Sequence, residues 1–209
     1  MNAGFTNQNV NSVAIGSNAG YYNQSSNAVA IGLDAGYSNQ GTGAVAIGYQ
    51  SGYSGQSSFS VAIGYQAGQN SLGLNSIAIG SLAGQNSAGT DGIAIGGAAG
   101  FDFQGGGAIA IGSSAGQTSQ SAKAVAIGFE SGVNGQGIES VSIGNSSAND
   151  SQGDYSVAIG SNAGNQSQGF YGVAIGYQAG YVQQGTYAVA IGYQAGLTSQ
   201  PYNSIVINA

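Results

Sequence analysis

Every residue whose number is a multiple of sixteen, from Gly16 to Gly192, is glycine, and each of these glycines follows an isoleucine. No insertion breaks the register. Each sixteen-residue unit is therefore predicted to be one turn of a stacked coil, because a unit this short cannot bury its apolar side chains without the turns on either side of it.

The columns of the repeat give the local structure. The position three before each key glycine is always Val or Ile, and the position one before it is always Ile. Ala lies between them except at Ser142 and Val206, and a small residue such as Ser12, Ala44 or Gly92 precedes the run. Large and small residues alternating in this way are the period-2 pattern of a strand. The expectation is that Val13, Ile15, Val29, Ile31, Val45, Ile47, Val61 and Ile63, with their successors, form the core. The small residues then form an outward ribbon through Ala14, Ala30, Ala46, Ala62, Ala78, Ala94, Ala110, Ala126, Ala158, Ala174 and Ala190.

A second glycine follows four residues later, at Gly20, Gly36 and onward, with Ala148 as the exception. Gly16, Gly20, Gly32 and Gly36 are thus predicted turn positions with positive φ, and the Ala or Ser before the second glycine is expected to pack inward. A Gln column runs from Gln8 to Gln200, interrupted by Leu72 and Ala88. Identical amides at strand spacing can satisfy one another, which predicts a ladder along the axis. The unit Ser142–Asp150 loses the strand Ala and the second Gly together, and a kink or a frayed turn is expected there. Tyr21, Tyr37, Tyr53 and Tyr181 occupy a variable column and are candidates for surface binding.

Composition narrows the function. The chain of 209 residues has no Cys and no His, Lys123 as its one basic side chain, seven acids and a net charge of -6. Nucleophile–base triads and the usual metal sites cannot be assembled from such a set, so no catalytic residue, cofactor or metal is expected. Glu130 with Glu139, and Asp150 with Asp154, read as solvated acids. The near absence of Lys and Arg argues against nucleic-acid binding, and no apolar run reaches the ~20 residues of a bilayer-crossing helix. Asn23, Asn145, Asn149 and Asn165 lie in Asn-x-Ser contexts that could accept a glycan. A lone coil of two aliphatic residues and a corner Ala or Ser per turn is poorly supplied with core. The long uncharged small-residue ribbon therefore predicts association with further copies of the chain.

The strings Asn11-Ser12-Val13-Ala14-Ile15-Gly16 and Asn75-Ser76-Ile77-Ala78-Ile79-Gly80 resemble the head repeats of YadA-like trimeric autotransporter adhesins. Similar repeats occur in fibre-like proteins of phages and large viruses. The resemblance implies a left-handed parallel β-roll and a homotrimer. The period of sixteen exceeds the usual adhesin period of about fourteen, which implies a longer second strand or turn.

Taken together, the sequence predicts an all-β parallel β-solenoid of about 12–13 coils. Residues 1–10 are a partial first repeat, 11–203 the sixteen-residue repeats, and 204–209 a final strand marking a truncation or a hand-over to another domain. The expected function is a rigid, non-enzymatic fibre or adhesin segment on an extracellular or virion surface. Its partners would be further copies of itself and a host receptor or matrix. A filament subunit stacking through uncapped edges is the alternative, and an ice-binding face a minor one.

Overall fold

The computed structural model describes residues 2–208; Met1 and Ala209, at the outer limits of the expected terminal segments, lie outside the described residues. The protein is an all-β parallel solenoid of about thirteen sixteen-residue turns. It divides into two compact units, one ending at Gly107 and the other beginning at Ala108.

In the first unit, three-residue strands Val13–Ile15, Val29–Ile31, Val45–Ile47, Val61–Ile63, Ile77–Ile79 and Ile93–Ile95 form one parallel sheet. Its register is like on like, with Val29 opposite Val45, Ala30 opposite Ala46 and Ile31 opposite Ile47. A second sheet carries the Gln column. It includes Thr6–Gln8, Tyr22–Gln24 and Ser38–Gln40, passes through isolated bridges at Ser54, and resumes at Asn70–Leu72. The second unit repeats the arrangement. Its first sheet runs from Ile109–Ile111 to Ile205–Ile207, and its second from Thr118–Gln120 to Val182–Gln184.

The strand faces are the reverse of the expectation. Ala30, Ala46, Ala62, Ala78, Ala94, Ala110, Ala126, Ala158, Ala174 and Ala190 are fully buried, and Ala14 packs against the alanines of its unit. These residues line the lumen and cannot be an outward interface. Val29, Ile31, Val45, Ile47, Val61 and Ile63 are only half-buried, while Val13 and Ile15 are exposed, so these side chains are not the core. The reason is space. A Cβ added to Gly36 would lie 3.2 Å from the Cβ of Ala30 across the lumen, and one added to Gly20 would lie 3.4 Å from that of Ala14. Opposite the second turn glycine, the lumen has room for a methyl group and not for a branched side chain.

The corner residues Ala19, Ala35, Ser51 and Ala67 also point inward, at 0% exposure. The rest of the lumen is filled by glutamine. Gln40 Nε2 donates to the carbonyls of Val29 (2.7 Å) and Ala44 (3.3 Å) and to Gln56 Oε1 (3.2 Å). The same side chain therefore ties the second sheet to the first and continues the ladder. In the second unit the ladder runs through Gln152, Gln168, Gln184 and Gln200 at 3.0–3.1 Å per step. Leu72 takes the position apolarly and is also fully buried.

The turn glycines Gly16, Gly20, Gly32 and Gly36 have φ of 125°, 55°, 131° and 53°. At Gly20 the requirement is double, because an added Cβ would also sit 2.6 Å from Gln24 Oε1. Three further positions in each turn are left-handed without being reserved for glycine, for example Asn27 (φ 60°), Asp34 (φ 55°) and Asn39 (φ 56°).

The turn around Ser142 is neither kinked nor frayed. Val141–Ile143 pairs residue for residue with the strands on both sides. Ser131, Ser142 and Ser147 replace lumen alanines together and are fully buried. Their hydroxyls meet at 2.6 Å (131 to 142) and 2.6 Å (142 to 147), and Ser131 Oγ also donates to the Ser142 carbonyl at 2.8 Å. Three hydroxyls that would each be costly alone satisfy one another.

Candidate interaction surfaces

Turning Ala inward turns Val and Ile outward. In each unit, the outer face of the first sheet is a series of Val–Ile and Ile–Ile pairs with no charged or polar side chain among them. From Ile79 to Ile191, the isoleucine immediately before each key glycine exposes 36–37% of its surface. Two residues beyond the isoleucine, a neighbouring column adds Leu33 (46% exposed), Tyr65 (52%), Phe129 (51%) and Tyr193 (59%). In this column Tyr49 stacks on Tyr65 at 5.3 Å, and Tyr177 on Tyr193 at 5.5 Å. Sequence reasoning passed over this column, although large apolar residues two places after the strand isoleucine were its signal. Contiguous apolar surface of this kind is rare on a monomer in water.

The tyrosine column behaves differently in the two units. Tyr21, Tyr37 and Tyr53 form a continuous stack with Phe5, with ring centroids 4.9–5.1 Å apart, and Tyr22 packs edge-on against Tyr21. All three are half-buried, so the stack covers apolar ring surface while remaining in part accessible. Charge repulsion from Tyr21, with a hydrogen bond to it, raises the Tyr22 phenol above its ordinary value, and burial does the same for Tyr37. Tyr181 lies in the second unit and stands outside this stack. There the exposed stack is instead Tyr155–Tyr171–Tyr187, at 5.1 Å spacing, in one of the left-handed columns.

The ionisable residues do not converge. Lys123 Nζ pairs with Glu139 at 2.9 Å, an exposed contact that raises the lysine above its ordinary value through the hydrogen bond to Glu139. Among the described residues, no group of three or more His, Cys, Asp or Glu is placed to hold a metal. Of the Asn-x-Ser positions, Asn165 is 8% exposed and its Nδ2 donates to the Ser146 carbonyl at 2.7 Å, so a glycan has no room there. Asn23 donates to Asn39 Oδ1 at 3.0 Å as part of an outer amide ladder. Among the described residues, no helix is long and apolar enough to cross a membrane.

Two copies of the YadA head domain repeat are recognised in the chain, over residues 58–83 and 136–163. The two segments fall one in each unit and together cover less than half of the chain. Each contains a Val–small–Ile strand with its following glycine, Val61–Gly64 in one and Val141–Gly144 in the other, together with the neighbouring turns. The repeats within residues 58–83 and 136–163 are thus similar in sequence to YadA head repeats. No curated protein matches the chain.

Proposed function

We propose that the protein is a non-enzymatic segment of a surface fibre or adhesin, in which three copies pack their Val–Ile ribbons around a common axis and hold their other faces outward for attachment. The observation that carries this reading is the outward ribbon itself: apolar, uncharged, in register from turn to turn, and too extensive to be left in water. Three-fold assembly is favoured by the likeness to the YadA head domain repeat. A heterologous contact that closes into a ring joins one margin of the ribbon to the opposite margin on the next copy and leaves no copy unpaired. The interface residues are then the ribbon's Val and Ile, with Tyr49, Tyr65, Tyr177 and Tyr193 along its margin, in place of the lumen alanines. The aromatic stacks on the remaining faces are the surfaces offered to a receptor or matrix.

Light scattering on a sizing column tests the assembly. A sharp species at three times 20.3 kDa is expected. The double substitution Ile111→Asp and Ile127→Asp should convert it to a folded monomer with unchanged β-sheet circular dichroism. A native chain that runs as a monomer overturns the proposal, and a mass that grows with concentration replaces the trimer with a filament.

A further inference from the structure

The second unit carries a groove of about 420 Å³ that spans successive turns. The buried Gln152 and Gln168, with Gly153 and Gly169 beside them, form its floor. Ser151 and Ser167 stand on one side, continued by Gly135, and Phe170 and Thr186 stand on the other. The volume lies within the ~300–1,000 Å³ range of small-molecule sites.

Three features define what fits. The groove is open because the side chains on its serine side are small: Ser151 and Ser167 are left-handed, and a Cβ at Gly135 would meet nothing within 4 Å. At the same repeat position in the first three turns of the first unit, Asn7, Asn23 and Asn39 fill the space with an amide ladder. Phe170, 51% exposed, supplies an aromatic wall over a floor of flat sheet backbone, which selects a planar ligand. Asp150 and Asp154 flank the lining residues Ser151 and Gly153, and Asp154 is fixed in place by accepting the Ile138 N–H at 2.9 Å. The sole lysine is already paired with Glu139, so nothing basic is left to neutralise these acids. Both the carboxylates and the aromatic face favour a positive charge.

We propose that this groove binds a planar aromatic cation lying along the turns, held by Phe170 and by the field of Asp150 and Asp154. The site lies within a single chain, so it stands or falls independently of the trimer.

Fluorescence titration of the full chain with the benzothiazolium cation thioflavin T, at low salt, provides the test. One saturable site per chain is expected. Phe170→Ala should weaken it about 2- to 5-fold, the range of a cation–π contact at an exposed site. Asp150→Asn with Asp154→Asn should weaken it about 3- to 10-fold, with the difference shrinking as salt is added. All three positions lie at the surface or on its rim, and circular dichroism checks that each variant is folded. Absence of saturable binding overturns the proposal. So does an affinity unchanged by Phe170→Ala, or one abolished by Tyr37→Ala, which would place the dye on the first unit's tyrosine stack.

Discussion

Single residues matter in this fold because every turn repeats the same crowded lumen. The serine cluster shows how a departure is absorbed. Ser131, Ser142 and Ser147 sit where most turns place alanine, and their hydroxyls bond to one another, whereas the lone corner Ser51 donates to the Gly48 carbonyl at 3.2 Å. Replacing Ser142 alone by Ala takes from Ser147 its 2.6 Å partner and leaves buried hydroxyls short of hydrogen bonds, at a cost of about 1–3 kcal/mol. Replacing all three regenerates the all-alanine lumen found elsewhere, so the triple variant should be more stable than the Ser142→Ala single. Urea unfolding of the two variants decides between them. If the losses simply add, the serines do not act as a unit.

At the scale of the strand, the consequence is a division of labour between two faces three residues long. Ala46 meets the lumen, and its neighbours Val45 and Ile47 meet the outside. Ala46→Leu should therefore cost about 3 kcal/mol or more in a lumen with no space to give, whereas Ile47→Ala should cost a separated chain less than about 1.5 kcal/mol and weaken assembly instead. Denaturant midpoints read beside native mass would show the two effects apart; a tolerated Ala46→Leu would mean that the lumen is looser than its geometry. The same strand explains what was legible in the sequence. Periodicity placed the strands, the stacking register and the two turn glycines, and the fixed Gln column announced a ladder along the axis, inward or lateral. The direction of the faces was not legible, because alternation in Val-Ala-Ile is identical whichever side is called inside. Lumen width decides it, and that depends on how far the second sheet lies away. The additional left-handed positions were hidden for a related reason. Asn and Asp at 11, 18, 27 and 34 signal them, but Phe59, Lys123 and Tyr155 occupy the same columns and mask the pattern.

Over the whole molecule, sparse charge leaves few groups to couple stability to pH, and those with resolved shifts act in one direction. Tyr22 and Tyr37 are raised from 10.0, the first by Tyr21 and the second mainly by burial, and Lys123 is raised from 10.5 by Glu139. A raised value means that the folded chain holds the proton more tightly than the unfolded chain. The contribution of these groups is therefore complete below the unfolded values and is lost as pH climbs through the folded ones. For the tyrosines the lost state is the neutral phenol in a stack of phenols, where successive phenolates ~5 Å apart would repel strongly. Thermal melts followed by circular dichroism from about pH 7 to about pH 11.5 should thus stay level until the tyrosine range and fall beyond it. Tyrosinate absorbance should rise together with the loss of sheet. Tyr37→Phe removes the central phenol of the first unit's stack while keeping its ring, and should move the alkaline fall to higher pH without changing stability at neutrality. A fall that begins well below pH 10, or one that Tyr37→Phe does not shift, would show that alkaline unfolding starts outside the tyrosine stack.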